Sequence, residues 1–294
     1  MKKLVLFCLL SSMSGVLYGQ VAGNAVYSNT TSYNTTTQMP RAVFVSDTVM
    51  LLSADVLMNV AANSYTLIIG TSQVAETLEQ CNALLNERLQ QFTKSLKGLG
   101  INAQNVNVDF ISQVPVFEYE VEKKLFSRTY NEIPRGFELK KNIHINYARS
   151  EQLAEILTAA AQQEIYDVVK VDYVVDNIEA VYDTLRATAV RIINKKTESY
   201  RKLGVKFDRN DYQLVAEDSR SLYPAERYKT YTAYNSPSLS AAKKGAVVNA
   251  PKSQTIYYEK MANNDFDAVI NPKVIEPVAQ FMYSVQVRYV LKKQ

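Results

Sequence analysis

Between Ser64 and Gly204 the hydrophobic period switches in a fixed order, and that order limits the folds open to the chain. Tyr65, Leu67 and Ile69 alternate with their neighbours, which predicts a strand with one buried face, ended by Gly70. Val74, Leu78, Cys81, Leu85, Leu89, Phe92, Leu96 and Leu99 then recur every three or four residues, the stripe of a helix packed on a sheet. Alternation returns at Val106, Val108 and Phe110 and runs on through Val114, Val116 and Phe117, with Pro115 marking an edge or a bulge. A third strand starts at Gly136 and carries Phe137 and Leu139, then Ile143, Ile145 and Tyr147, with Asn142, His144 and Asn146 on its other face. Ser150 is a plausible N-cap for a helix striped by Leu153, Ile156, Leu157 and Ala160. Val169, Val171, Tyr173 and Val175 supply a fourth strand. The expected fold class is therefore α+β, with a ferredoxin-like βαββαβ core, an antiparallel sheet, and both helices on one face because crossovers are right-handed.

The flanks extend this block. Asp176 or Asn177 caps a long helix striped by Ile178, Val181, Leu185, Ala189 and Ile192 and closed by Leu203-Gly204. Upstream, Val43, Val45, Val49, Leu51 and Leu52 predict an extended segment, while Val56 to Val60 either continues it or forms a short helix. Downstream, Tyr212 to Glu217 and Thr255 to Tyr258 read as strands, and Ser236 to Ser253 as a mobile loop. The clearest strand is the last: Phe281, Tyr283, Val285, Val287, Tyr289 and Leu291 alternate with polar residues. Such C-terminal strands are expected to complete the sheet, since an unpaired apolar edge is a liability.

The N-terminus carries an address. Lys2 and Lys3 precede an apolar run from Leu4 to Leu10, and small residues lead to Gly19-Gln20, the pattern of a secretory signal peptide cleaved after Gly19. The run is too short for a membrane anchor. Cys8 lies inside the run rather than after it, which argues against a lipidated cysteine. Residues 20–40 are polar and low in complexity and predict a flexible leader. The expected organisation is thus 1–19 signal, 20–40 leader, and one α+β domain over 41–294, with its core at 64–204, a sheet-completing part at 205–294 and the mobile loop at 236–253. Processing would leave Cys81 as the one cysteine, so no internal disulfide framework is expected.

The run Gly136-Phe137, Ile143-x-Ile145-x-Tyr147, Leu153-x-x-Ile156-Leu157, Val169-x-Val171-x-Tyr173 and the helix closing on Leu203-Gly204 resembles the SIMPL domain family. Leu96-Lys-Gly-Leu-Gly-Ile101, Leu214-Val-Ala-Glu217 and Val285-Gln-Val-Arg-Tyr289 are similar to it as well. The resemblance implies an α+β domain, an exported bacterial envelope protein (DUF541-like), and oligomeric assembly in at least some members. It implies no catalytic residues. This chain has Thr71-Ser-Gln-Val74 where the family often has a Pro-Asp pair before its first helix.

Little else points to chemistry. His144 is the one histidine and sits on the polar face of its strand. One histidine and one mature cysteine exclude the usual zinc sites, and no P-loop or dinucleotide motif occurs among the 9 glycines. Asn263-Asn-Asp-Phe-Asp267 has the alternating oxygens of a calcium loop without its Gly and Glu, and reads as a turn. Glu118, Glu120 and Glu122 alternate along one face, as on a solvated edge strand. A net charge of +4, two of it in the signal segment, gives no footprint for nucleic acid. The expected function is therefore an exported, periplasmic or outer-membrane-associated protein of a Gram-negative bacterium. It has no cofactor, metal or catalytic residue and acts as a homo-oligomer or by binding other envelope proteins. Glu122 to Arg135 reads as a long, charged hairpin connection, and Phe126, Arg128, Tyr130 and Arg135 are its candidate contact residues. The alternative is a ligand-binding protein or enzyme with a site near that loop and the tyrosines 223, 228, 231 and 234.

Overall fold

The computed structural model describes residues 25–27, 41–124, 127–233 and 254–292. The signal segment, nearly all of the leader, the 236–253 loop, Tyr234 and Phe126 lie outside the described residues, as does the side chain of Arg128. The chain divides into two compact units, Met1–Ser32 with Thr230–Tyr257, and Tyr33–Lys229 with Tyr258–Gln294. Strands β1 (Ala25–Tyr27), β9 (Tyr228–Ala233) and β10 (Gln254–Tyr258) form a sheet in the order β1-β9-β10. Within the smaller unit β1 runs antiparallel to β9, from Ala25 opposite Ala233 to Tyr27 opposite Tyr231.

The larger unit is mixed α/β, with two sheets and three α-helices among its described residues. The first sheet has β4 (Ser64–Ala75), β5 (Val106–Lys124), β6 (Ser127–Tyr147) and β7 (Asp167–Val174) in the order β5-β6-β4-β7, every pair antiparallel. Helices α1 (Leu78–Gly98) and α2 (Gln152–Ala161) connect β4 to β5 and β6 to β7. Cys81, Leu85, Leu89, Phe92 and Leu96 of α1 share one core with Leu67 and Ile69 of β4, Leu139, Ile143 and Ile145 of β6, and Ile156 and Ala160 of α2. Both helices therefore cover the same face. Cys81 is fully buried, its thiol donating to the Phe137 carbonyl at 3.1 Å.

Three boundaries in this block differ from the sequence reading. β4 continues through Gly70, where an added Cβ would sit 2.9 Å from Asp167 Oδ2; the glycine admits a neighbouring side chain rather than ending a strand. Val74 accordingly belongs to β4, and the helix begins at Leu78 behind Thr77, whose hydroxyl accepts from the Gln80 amide. Ser150 does not cap α2: Glu151 occupies that position without a side-chain bond, and the Gln152 side chain accepts from the Arg149 amide instead.

The second sheet has β3 (Val49–Val60), β8 (Phe207–Leu222), β11 (Ala268–Ile270) and β12 (Ala279–Leu291) in the order β11-β3-β12-β8, with β2 (Ala42–Ser46) also on β3. Residues 56–60, ambiguous in sequence, are strand. Helix α3 (Ile178–Lys202) is capped by Asn177, which accepts from the Ala180 amide at 3.0 Å. It packs Val181, Leu185, Ala189 and Ile193 on Met50, Leu52, Ala54 and Val56 of β3 and on Phe281, Tyr283 and Val285 of β12. This corrects the expected role of the C-terminal strand. β12 does not complete the β4–β7 sheet; it is an inner strand of a separate sheet, and α3 belongs to that layer.

One edge of β3 changes partner along its length. β2 pairs antiparallel with Val49–Leu52, and β11 pairs parallel with Val56–Met58. Between them the backbone of Ser53 and Asp55 is served by other groups. Lys196 of α3 donates to the Ser53 carbonyl at 2.7 Å and to Asp267 at 2.8 Å. Asp267 accepts from the Asp55 amide and returns its own amide to the Asp55 carbonyl. Further along, Asn59 and Asn271 donate to each other's carbonyls, and Gln280 donates to Asn59. Lys196 and Asp267 expose only 21% and 10% of their side chains, so removing the cation leaves a carboxylate poorly solvated. Lys196→Met is expected to lower unfolding free energy by about 3 kcal/mol, the low end for breaking a buried pair because part of the lysine meets solvent, read as a fall in the denaturant midpoint; an unchanged midpoint would contradict this role.

Candidate functional site

β5 and β6 are far longer than β4, which pairs with β6 alone of the two. β4 pairs with β6 only as far as Ala75 opposite Phe137. Beyond that point the hairpin continues as a two-stranded arm, with eight residue pairs from Phe117–Pro134 to Lys124–Ser127, a length of roughly 27 Å at about 3.4 Å per residue. The stretch read in sequence as a connecting loop is thus mostly strand. Two devices start the arm: Arg135 is an extra residue opposite the Val116/Phe117 step, and Gly136 has φ of 146° where a Cβ would run into the Ala75 carbonyl oxygen.

The two faces of the arm differ in chemistry. Phe117, Tyr119 and Val121 line one face with their partners Pro134, Glu132 and Tyr130. Tyr119 and Tyr130 meet edge to face at 6.5 Å, and the Tyr119 hydroxyl donates to Glu132 at 3.0 Å, which raises its pKa. Phe117, Tyr119 and Tyr130 remain 50%, 65% and 58% exposed. On the other face Arg135 pairs with Glu118 at 3.0 Å. Of the four contact residues expected from sequence, Tyr130 lies on the aromatic face and Arg135 at the bulge. The aromatic side of β5 was missed, although Phe117-x-Tyr119-x-Val121 is a strand signal.

The aromatic face continues towards the body of the sheet. Val108 and Phe110 of β5 lie on the side that carries α1 but beyond its cover, and they are half-exposed. With Asn82, Asn86, Leu89 and Leu139 they line an open groove of about 460 Å³.

At the other end of the sheet the tyrosines gather. Tyr65 stacks on Tyr147 at 5.2 Å and meets Tyr173 edge to face at 5.2 Å. Tyr173 hydrogen-bonds Tyr228, whose ring lies 6.0 Å from Tyr258. Burial, with Tyr65 beside it, pushes Tyr147 up to about 12; burial and the bond to Tyr228 raise Tyr173 further. Tyr228 thus joins a cluster with a packing role, and the arm begins ten residues of β4 away, past Ala75. Tyr228 and the arm thus lie at opposite ends of the β4–β7 sheet, while Tyr223 packs edge to face on Phe281 of the second sheet. His144 stands on β6 opposite Asn107 and Ile68. The acidic run ending at Asp267 forms a 3-10 turn at Asn263–Asp265, and Asp267 serves Lys196. No helix in the described residues is long and apolar enough to cross a membrane.

Taken together these features define a mixed α/β protein of largely antiparallel sheets from which an aromatic-faced β-arm extends. The chain belongs to the SIMPL family, whose model, described as a protein of unknown function (DUF541), matches residues 52–262. The match begins within β3 and ends ahead of β11 and β12. No curated protein matches the sequence.

Raised folded-state pKa values fix the sign of one pH effect. Tyr147 and Tyr173 hold their protons more tightly folded than unfolded, where the pKa is 10.0. Their contribution is therefore fully present below pH 10 and is lost as pH rises through about 12. Absorbance titration of tyrosinate should show a late class ionising together with unfolding near or above pH 12; ionisation of all tyrosines near pH 10 in folded protein would contradict the cluster.

Proposed function

We propose that this protein is an exported envelope protein that acts by self-association, with the β5–β6 arm as its contact surface and no chemistry of its own. The observation that carries this is the aromatic face of the arm. Phe110, Phe117, Tyr119 and Tyr130 together leave on the order of 400 Å² of ring surface in water, at about 150–250 Å² per aromatic side chain. A patch of this size matches the largest apolar patch on a typical soluble protein, about 300–600 Å², which often serves as a contact surface. Tyr119 and Tyr130 are held by each other and by Glu132 across the arm, so ordering them on association costs little. The signal pattern over residues 1–19 supports export, to the periplasm or the outer-membrane surface of a Gram-negative cell. The β5-β6-β4-β7 order, with both helices on one face, supports reading this block as a ferredoxin-like split βαβ arrangement. In this reading it is the rigid base from which the arm extends.

Light scattering on protein purified from cells expressing the full chain tests the proposal. The mass expected at micromolar concentration is a multiple of one chain. Tyr119→Asp with Tyr130→Asp, both exposed and outside the core, should give a folded monomer. A wild-type monomer would sink self-association and favour the ligand-binding alternative.

A further inference from the structure

A strand edge presents unpaired N–H and C=O groups, and folded proteins blunt such edges with charges, short strands or cover. Most edges of the larger unit are blunted in this way. β11 has three residues and β2 has five. β7 has eight, carries the Lys170–Asp172 ion pair and is bounded at Tyr173 by its bond to Tyr228. Two edges differ. β5 closes one sheet with 19 residues and β8 closes the other with 16, and no described strand pairs with the outer side of either. Both carry charges, Glu118 and Glu120 on β5 and the Arg220–Asp218 ion pair on β8, but each also has a stretch of exposed apolar side chains.

These two edges resemble each other in chemistry. On β5, Val108 and Phe110 stand on the helix-bearing face, beyond α1, and are 41% and 57% exposed. On β8, Tyr212 and Leu214 pair with Tyr289 and Val287, which pack towards α3, so they stand on the helix-bearing face of the second sheet. They are 64% and 60% exposed. Each edge thus carries apolar side chains in the position that a further strand with its own packed helix would cover.

Resting on the self-association reading, we infer that the β5 edge of one copy pairs with the β8 edge of a second copy, head to tail. A symmetric β5–β5 contact leaves Tyr212 and Leu214 of β8 in water, and a β8–β8 contact leaves Val108 and Phe110 of β5. The head-to-tail contact covers both with one repeated interface, sets Val108 and Phe110 beside Tyr212 and Leu214, and continues one helix-covered sheet into another.

The test uses two differently tagged copies co-expressed from full-length genes, one with Phe110→Cys and the other with Tyr212→Cys, Gln213→Cys or Leu214→Cys in turn, the three positions spanning a slip of register. The native Cys81 is fully buried, and wild-type protein serves as the control. A short bis-maleimide should link the two tags for at least one of the three pairs. Neither tag should be linked to itself when its copy is expressed alone. In a separate measurement Leu214→Lys should reduce the scattering mass to one chain while circular dichroism is retained. Linking of Phe110→Cys to itself, or an oligomer that survives Leu214→Lys with none of the three pairs linked, would overturn the head-to-tail contact and leave self-association standing. A monomeric wild type would instead remove the self-association reading itself.

Discussion

At Ser53 to Asp55 the edge of β3 has left one partner strand and not yet met the next, and its carbonyl and amide groups are nevertheless all served. Lys196 reaches from α3 to the Ser53 carbonyl, and Asp267 closes a two-way bond with the Asp55 backbone. Buried backbone groups must be paired somewhere, and here one ion pair does this while tying α3, β3 and the segment entering β11 together. A neutral helix residue at 196 would leave both the carbonyl and the carboxylate without a cation. The second sheet depends on this junction because β3 is the strand on which β2, β11 and β12 all pair.

The same requirement looks different at the outer edges. In each sheet the helices cover the inner strands and stop short of a long edge strand: α1 and α2 leave β5 partly bare, and α3 leaves β8 so. Inside the fold the demand for partners is met by Lys196, Asp267, Asn59 and Asn271. Outside it, β5 and β8 keep apolar side chains and unpaired backbone in the same place, which is what association through strands requires. The arm adds reach, since β5 and β6 support each other beyond the last residue of β4.

Much of the secondary structure was legible because period reports on burial. The α1 stripe from Cys81 to Leu96 and the alternation from Phe281 to Leu291 became the buried faces of α1 and β12. What period does not report is which strand lies beside which. β12 shows a buried face, but its neighbours β3 and β8 are more than fifty residues away in sequence, and so period alone places it in the wrong sheet. The same gap hid the layer to which α3 belongs. From Glu122 to Arg135 the arm reads as a loop because a run of mixed charges is turn-like by composition, whereas two exposed strands supporting each other can carry it. Gly70 read as a stop for a similar reason: sequence shows a missing side chain, and only the fold shows that Asp167 occupies the space. The tyrosine cluster was half visible, since Tyr228 was singled out but Tyr65, Tyr147 and Tyr173 join it only through strand register.

The most direct test of association through the arm and its edge is hydrogen exchange along β5, followed by mass spectrometry across a dilution series. In a single chain the amides that face β6 are protected, and those on the outer edge from Val106 to Val121 meet solvent. At micromolar concentration the outer amides are expected to exchange slowly and to become fast on dilution, with the inner amides unchanged. Fast exchange of the outer amides at every concentration would contradict self-association through this edge.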